Sequence, residues 1–251
     1  MIDLSVVIIT FNEERNIERG LHSVSGIADE IVVVDSFSKD KTAELCRSLG
    51  AKVVEHPFEG HIEQKNYALA QARSPYVLSL DADEELSKEL RESILAVKNN
   101  WSHDAYAMNR MTNYCGSWIR HGGWYPDRKV RLFDKRKAAW GGVNPHDKVI
   151  LSEGVTELGL KGDILHYSYY NLSDHLRQID YFTGISAQNL FKQGRRPSPI
   201  RMLFGPVVKF FRDYILKGGF LDGSAGLTIS ILSAKAVFIK YVKLRQLHES
   251  K

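Results

Sequence analysis

Short apolar runs rich in β-branched residues alternate with helical patterns in the N-terminal third of the chain. Four of these runs predict strands, at Leu4–Ile9, Glu30–Val34, Lys52–Glu55 and Tyr76–Leu80. The runs are mostly apolar throughout, which is typical of parallel strands covered on both faces. Three segments between them are long enough for crossover helices, at Glu13–Ser23, Lys39–Leu49 and Ile62–Gln71. The pattern therefore predicts an α/β domain with a right-handed, parallel β-α-β-α-β-α-β sheet.

The pattern changes after Leu80. Ser87–Asn99 predicts a helix, and Ala105–Thr112 and Lys129–Phe133 predict strands. Two segments rich in glycine and tryptophan, one around Gly122-Gly123 and one at Trp140–His146, are expected to be irregular loops. From Ser173 onward the chain has helical spacing, with a break at Arg195–Pro199. We therefore expect a main domain at residues 1–172 and a helical extension at residues 173–251.

Basic residues concentrate in that extension. The whole chain has a formal charge of +4, but residues 192–251 carry 12 Lys/Arg and 3 Asp/Glu. Apolar residues recur at helical spacing from Arg201 to Gln246 with cations among them, which favours peripheral attachment to an anionic membrane surface. The alternative is a helical hairpin packed on the main domain or on a second copy. Nucleic-acid binding is disfavoured because the cations accompany an apolar face rather than a polar groove.

The compartment follows from cysteine use and from the apolar runs. Cys46 and Cys115 lie in different elements without paired spacing, which fits a reducing cytosol. The apolar start at Leu4–Ile9 is too short for a signal peptide, and no uncharged apolar run reaches about 18 residues. We expect a cytoplasmic protein without a spanning helix, at the inner face of the membrane.

Polar residues follow three of the predicted strands where those strands end. They form Thr10–Glu13, Asp35–Ser38 and Asp81–Asp83. In open α/β sheets ligands bind beyond the carboxyl ends of the strands, so the three segments predict one site. Asp81 and Asp83, one residue apart, offer hard oxygen ligands to Mg²⁺ or Mn²⁺. The alternative is that Asp83, with the glutamates after it, caps the helix that begins near Ser87.

Two nucleotide-binding signatures are absent from the sequence. No G-x-G-x-x-G follows the first strand, which disfavours a dinucleotide site, and no G-x-x-x-x-G-K-[ST] is present, which excludes a P-loop.

Longer strings of the sequence resemble a known family. SVVIITFNEERNI, EIVVVDSFSKDKT and QKNYALAQARSPYVLSLDADEEL resemble the inverting family 2 glycosyltransferases, which have the GT-A fold. GGWYPDRKVRLFDK, the motif at Asn144–Lys148 and GGFLDGSAGL resemble the branch that contains lipopolysaccharide-core glucosyltransferases. Matching motifs extend from Ser5 to about Leu227. The resemblance implies transfer of glucose or another hexose from a UDP-sugar, with inversion, to a hydroxyl of a cell-envelope glycolipid or glycan. It also divides the main domain into a nucleotide-sugar half (about 1–100) and an acceptor half (about 101–172).

The resemblance assigns roles on the donor side. The nucleotide would be contacted by Thr10, Asn12, Glu13, Asp35, Ser36, Lys65 and Asp81. The divalent metal would be bound by Asp83, with Asp81 and His166 as further candidates; the alternative for His166 is a packed structural histidine.

On the acceptor side, Asp147 takes the place of the catalytic base. His146-Asp147 stands where many family members have Glu-Asp or His-Glu. Trp124 is expected to stack on an acceptor sugar, and Arg128 and Arg131 to contact the acceptor or the diphosphate. Core packing is the alternative for Trp124, and surface solvation is the alternative for the arginines.

Three other functions stay open from the sequence. A polyprenyl-phosphate glycosyltransferase would use the same chemistry with a phosphate acceptor. A sugar nucleotidyltransferase is disfavoured because Thr10–Glu13 contains no glycine. A non-catalytic sugar-binding protein would need neither Asp81 nor Asp83.

Overall fold

The computed structural model describes residues 1–143 and 146–250. At His146 it describes the backbone but not the side chain. The strands are β1 (Leu4–Thr10), β2 (Glu30–Asp35), β3 (Lys52–Glu55), β4 (Tyr76–Asp81), β5 (Glu84–Leu86), β6 (Ala105–Tyr114), β7 (Ser117–Trp118), β8 (Asp127–Asp134), β9 (Ala138–Val143), β10 (His146–Leu151) and β11 (Glu157–Tyr169). The helices are α1 (Ile17–Val24), α2 (Thr42–Ser48), α3 (His61–Gln71), α4 (Lys88–Asn99), α5 (Leu172–Lys192), α6 (Pro199–Phe211) and α7 (Gly223–Glu249). The predicted α/β class with a C-terminal helical extension is confirmed.

The N-terminal strands form the predicted parallel sheet. The strand order is β3-β2-β1-β4, and each neighbouring pair is parallel. Val6 and Ile8 of β1 are buried in one apolar cluster, whereas Val7 is buried in the other. Successive side chains of a strand point to opposite faces, so both faces of β1 are covered. This double burial explains why the strand reads as a continuous apolar run.

The sheet continues beyond β4 in the order β4-β8-β6-β11-β5, and the pairs β4–β8, β8–β6 and β11–β5 are antiparallel. The short strand β5 occupies residues that follow the Asp-Ala-Asp motif directly. Helix α4 begins after it, with the Ser87 hydroxyl accepting a hydrogen bond from the Leu90 amide at 3.2 Å. The alternative in which Asp83 and the glutamates cap this helix is therefore wrong, because Ser87 is the cap.

The segment Trp140–His146 is not the irregular loop that its glycines suggested. Strand β9 includes Trp140 and pairs antiparallel with β10, so that Gly141 stands opposite Lys148. A Cβ on Gly141 would lie 2.8 Å from the Ile150 Cγ1 atom, so the glycine makes room for a neighbouring side chain. Asn144 and Pro145, two residues of the motif at Asn144–Lys148, lie outside the described residues.

The chain divides into two compact units, residues 1–110 with 127–167 and residues 111–126 with 168–251. The second unit contains α5, α6 and α7. The predicted break at Arg195–Pro199 is confirmed, because α5 ends at Lys192 and α6 begins at Pro199. Within this unit the Asp222 carboxylate accepts hydrogen bonds from the His121 amide at 2.8 Å and pairs with its ring at 2.9 Å.

Among the described residues, one helical stretch is long and apolar enough to cross a membrane. It runs from Gly219 to Glu249, has a mean hydropathy of 1.4 in its most apolar window, and has 22% of that window buried. The sequence expectation of no spanning helix considered only uncharged runs, which Lys235 and Lys240 interrupt. When a small number of charged residues is allowed, the helix is long and apolar enough to cross a membrane.

We predict that Gly162→Ala destabilises the protein far more than Gly154→Ala. Both glycines have positive φ angles, +87° and +78°. A Cβ on Gly162 would lie 2.7 Å from the Leu90 Cα atom, whereas no described atom lies within 4 Å of a Cβ built on Gly154. Gly154→Ala should cost about 1–2 kcal/mol from backbone strain alone. Gly162→Ala should cost more than about 4 kcal/mol, because the backbone of α4 must move. Urea unfolding of both variants measures the difference, and equal losses would contradict the proposed close contact.

Candidate active site

The ends of β1, β2 and β4 meet at one edge of the sheet, as their parallel register requires. Thr10 pairs with Asp35, and Ile9 pairs with Asp81. The loop after β1 is held to the loop after β2, since the Asn12 amide donates to the Ser38 hydroxyl at 2.8 Å. The Glu13 amide likewise donates to the Thr42 hydroxyl at 2.8 Å. The structure therefore brings the three predicted polar segments together.

Asp35 shapes the second of these loops. Its carboxylate is 1% exposed and accepts hydrogen bonds from the Ser38 amide at 2.8 Å and the Ser38 hydroxyl. The Ser36 hydroxyl accepts from the Gln64 side chain at 3.0 Å. In this structure Asp35 therefore stabilises the turn that contains Ser38. A bound ligand would contact this turn.

Two phenylalanines that the sequence analysis overlooked stand on these loops. Phe11 and Phe37 are each 53% exposed, and Phe37 has a φ angle of +60°. Exposed aromatic rings of this kind are suited to stacking on a planar ring of a ligand. Both residues lie inside the segments that follow β1 and β2, TFNE and DSFS, and this position could have identified them from the sequence.

The centre of the site is a buried network of opposite charges. The Lys65 ammonium group lies 2.9 Å from an Asp81 oxygen and 2.7 Å from an Asp147 oxygen. The Arg131 guanidinium lies 3.0 Å from the other Asp81 oxygen and 3.0 Å from Glu84. Lys65, Arg131 and Glu84 are all nearly inaccessible to solvent. Asp81 thereby links two cations that come from different parts of the chain.

Trp140 and Arg110 extend this network, and the sequence analysis did not single out either of them as site residues. The Trp140 ring lies under the Lys65 ammonium at 4.2 Å and near the Arg131 guanidinium at 5.1 Å. Arg110 bonds to Asp127 at 2.9 Å and lies 3.5 Å from Glu84. An aromatic face attracts a desolvated cation, so Trp140 contributes to holding Lys65 in place.

The pKa values of the acidic motif follow from these neighbours. Burial by itself would raise the pKa of Asp81, but Lys65 and Arg131 hold it well below its usual range. Burial likewise opposes ionisation of Asp83, yet His166 lowers the pKa of Asp83 on balance. The same contact raises the pKa of His166 against the effect of its burial. Both aspartates are therefore carboxylates at neutral pH.

Asp83 and His166 form a pair whose atoms suit a divalent cation. Strand β11 pairs with β5, and the Tyr167 amide donates to the Asp83 carbonyl at 2.9 Å. The His166 Nε2 atom consequently lies 3.0 Å from an Asp83 carboxylate oxygen. Glu13 lies close enough to Asp83 to be affected by its charge. Burial raises the pKa of Glu13, and the negative charge of Asp83 raises it further, whereas the hydrogen bond from the Asn16 side chain lowers it.

Within the described ranges, no group of three or more His, Cys, Asp or Glu is arranged to hold a metal ion. A Mg²⁺ ion in a nucleotide site is commonly bound by one or two carboxylates together with substrate phosphates and water. Carboxylate and imidazole donors also suit Mn²⁺. The Asp83–His166 pair therefore fits an ion whose remaining ligands come from a bound diphosphate.

The other predicted residues occupy different surroundings. Arg131 is buried in the charge network, whereas Arg128 forms an ion pair with Glu157 at 2.6 Å at an exposed position. Trp124 belongs to the second compact unit, where its ring packs against Tyr114 and Tyr169. Thr10 is buried, and among the described residues its hydroxyl has no hydrogen-bond partner.

Comparison with known proteins gives a consistent result. A family model described as "Glycosyl transferase family 2" matches residues 5–153. An uncharacterized glycosyltransferase of Rickettsia bellii is 35% identical, and the alignment covers 97% of this chain and 86% of that protein. The lipopolysaccharide core biosynthesis glycosyltransferase LpsC of Rhizobium meliloti is 27% identical over 100% of this chain and 94% of its own length. A dolichyl-phosphate hexose transferase of Haloferax volcanii is 33% identical over 44% of this chain and 49% of its own length.

We predict that Lys65→Met destabilises the fold by about 3–5 kcal/mol, because it leaves Asp147 and one oxygen of Asp81 buried without their cation. Lys137→Met is the matched control: Lys137 pairs with Asp104 at 2.6 Å, but its side chain is 50% exposed. Because that pair is exposed to solvent, its loss should change the free energy of unfolding little. Chemical unfolding measures both values, and a Lys65→Met loss as small as that of the control would contradict the buried network.

Proposed function

Because the chain belongs to glycosyltransferase family 2, we propose that it transfers a hexose from a UDP-sugar, with inversion, to a hydroxyl of a cell-envelope glycolipid. Lipopolysaccharide core is the acceptor class that we propose. The observation that carries the proposal is the contact of Asp147 with Lys65, which joins the candidate base to the acidic motif at the strand ends. Residues 82 positions apart in the sequence meet there.

Asp147 is proposed as the base that acts on the acceptor. Its carboxylate would take the proton of the acceptor hydroxyl as the hydroxyl oxygen forms a bond to the anomeric carbon. The bond from that carbon to the diphosphate oxygen breaks in the same step, and the electron pair leaves with the UDP. Attack from the side opposite the leaving group inverts the anomeric centre. The ion pair with Lys65 orients Asp147 for this role.

The leaving side of the reaction requires positive charge. We propose that Asp83 and His166 hold the divalent metal, which when bound would offset the negative charge that develops on the departing diphosphate. Lys65 and Arg131, both buried and both touching Asp81, would keep this carboxylate fixed beside the nucleotide. Fixed charges in a site that excludes water stabilise the transition state without reorganisation.

The nucleotide itself is proposed to bind along the loops after β1 and β2. Thr10, Asn12, Glu13, Asp35 and Ser36 supply or support its polar contacts. The hydrogen bond from the Asn12 amide to the Ser38 hydroxyl joins these two loops. Preorganised loops lower the entropy that binding would otherwise cost.

The acceptor class rests on the likeness to the lipopolysaccharide core glycosyltransferase, which covers the full chain. Trp124 and Arg128 stay proposals for acceptor contacts. A glycolipid acceptor lies in a membrane, and we propose that the enzyme attaches peripherally to the cytoplasmic face of the inner membrane through its basic helical extension.

A second acceptor class is polyprenyl phosphate, which the similarity to the dolichyl-phosphate hexose transferase favours. A phosphate acceptor is already ionised and needs no base. Retained transfer after replacement of Asp147 would therefore select this alternative.

We predict that Asp147→Asn lowers kcat by about 10²–10⁴-fold and leaves the Kd for UDP nearly unchanged, because a general base acts in the transition state. Steady-state transfer assays and calorimetry with UDP separate the two effects. Asp104→Asn is the matched control, since the Asp104 carboxylate also pairs with a lysine, but its partners Lys137 and Thr156 are not candidate site residues. Weaker UDP binding with intact kcat would place Asp147 on the donor side instead.

We also predict that Asp83→Asn abolishes the increase in UDP affinity that Mn²⁺ provides, because the amide is a poorer ligand for a hard cation than the carboxylate. Calorimetric titration of UDP with and without Mn²⁺ tests this, with Asp3→Asn as an exposed control. An unchanged Mn²⁺ effect in Asp83→Asn would exclude Asp83 as a metal ligand.

A further inference from the structure

Helix α6 exposes an apolar stripe that no described residue covers. None of its 13 residues is buried. Leu203, Val207 and Phe211 are between 51% and 60% exposed, and they recur at a spacing of four, which places them on one face. Exposed apolar stripes of this kind mark surfaces that contact a partner or a membrane.

A groove of about 500 Å³ runs beside this stripe between α6 and α7. Its apolar walls are Ile200, Phe204 and Val208 from α6 and Val237 from α7. Gly205 lets the helices approach, since a Cβ there would lie 3.1 Å from a Val237 methyl group. The volume is within the range of about 300–1,000 Å³ that is typical of small-molecule sites.

Three cations line the same groove. Lys209 and Arg212 both contact the buried Asp213 carboxylate, at 2.6 Å and 2.9 Å. Within the described part of the chain, the guanidinium of the third cation, Arg201, forms no ion pair. The groove therefore combines an apolar channel with net positive charge along it.

We propose that this groove binds one acyl chain of an anionic phospholipid, with the phosphate group at Arg201. This inference rests on the peripheral membrane attachment proposed above and specifies its contact. Charge complementarity selects the occupant: an apolar chain fills the channel, and an anionic headgroup meets the unpaired guanidinium at its edge. The adjacent stripe would enter the hydrocarbon boundary of the same leaflet, so the groove draws a lipid from the membrane that the stripe contacts.

The test uses the full chain and a lipid that stays monomeric in water. Dihexanoyl phosphatidylglycerol, below its micelle concentration, is titrated into the protein by calorimetry. The matched variants are Val208→Glu and Val207→Glu. Both residues are exposed valines of α6, at 64% and 51%, but only Val208 lines the groove.

We expect saturable binding that Val208→Glu weakens by about tenfold or more, because the new carboxylate occupies the apolar channel. Val207→Glu should change this affinity by less than about twofold, since it lies outside the groove. Arg201→Gln, and the replacement of phosphatidylglycerol by the zwitterionic phosphatidylcholine, should each weaken binding by about fivefold. Arg196→Gln, an exposed arginine before α6, is the control for general charge.

Three outcomes would overturn the proposal. The first is an absence of saturable binding to the wild-type chain, and the second is an equal loss of affinity in the two valine variants. The third is a dimer in lipid-free solution, detected by light scattering, that Val208→Glu dissociates; the occupant would then be a second copy of the chain.

Two further assays separate this inference from the proposed function. Flotation with anionic vesicles measures membrane attachment, which both valine variants should weaken because both disturb the apolar surface. UDP-sugar hydrolysis measures the chemistry, which neither should change. Failure of the groove titration with intact flotation would overturn the lipid site alone, whereas absent hydrolysis in the wild type would overturn the proposed function.

Discussion

The buried cation Lys65 is the constraint on which the candidate site depends. A lysine that is 4% exposed must have its charge compensated, and two carboxylates from distant parts of the chain provide this compensation. Arg131 adds a second buried cation that shares Asp81 with it. Since an unpaired buried charge would cost several kcal/mol, α3, β4, β8 and β10 have to keep their relative positions. The network therefore couples the geometry of the site to the packing of the first compact unit.

The same network gives the two aspartates of the acidic motif different partners. Asp81 is engaged by Lys65 and Arg131, so its oxygens are already committed to cations of the protein. Asp83 faces His166 instead, at the junction of β5 and β11. Strand β4 ends at Asp81, whereas Asp83 lies in the turn before β5, so the two carboxylates have different partners although only one alanine separates them. Asp81 is thereby fixed by cations of the protein, and Asp83 is the carboxylate that we propose as a metal ligand.

In the second compact unit, the buried and the exposed apolar residues lie in different elements. Its aromatic residues Tyr114 and Tyr169 are buried with Ile119 and Ile229, whereas α6 buries none of its residues. An apolar helix of 13 residues that stays uncovered loses the usual gain from burial of its surface. Cations along its groove and an apolar stripe beside them suit an interface between water and lipid better than a solvated surface.

The amino-acid sequence by itself determined the parallel β1–β4 sheet, the approximate positions of α1 to α4 and the convergence of Thr10–Glu13, Asp35–Ser38 and Asp81–Asp83. These features depend on local periodicity and on the register of parallel strands, which a single sequence reveals. Only the tertiary structure decided that Lys65 bridges Asp81 and Asp147, that Glu84 and Trp140 belong to the same network, and that Trp140–Val143 lies within a strand. Glycines at Gly141 and Gly142 suggested a loop because the sequence does not show that a neighbouring side chain, Ile150, needs the space. Contacts between residues 82 positions apart are set by how helices and strands pack, and packing is a property of the whole chain rather than of any short segment.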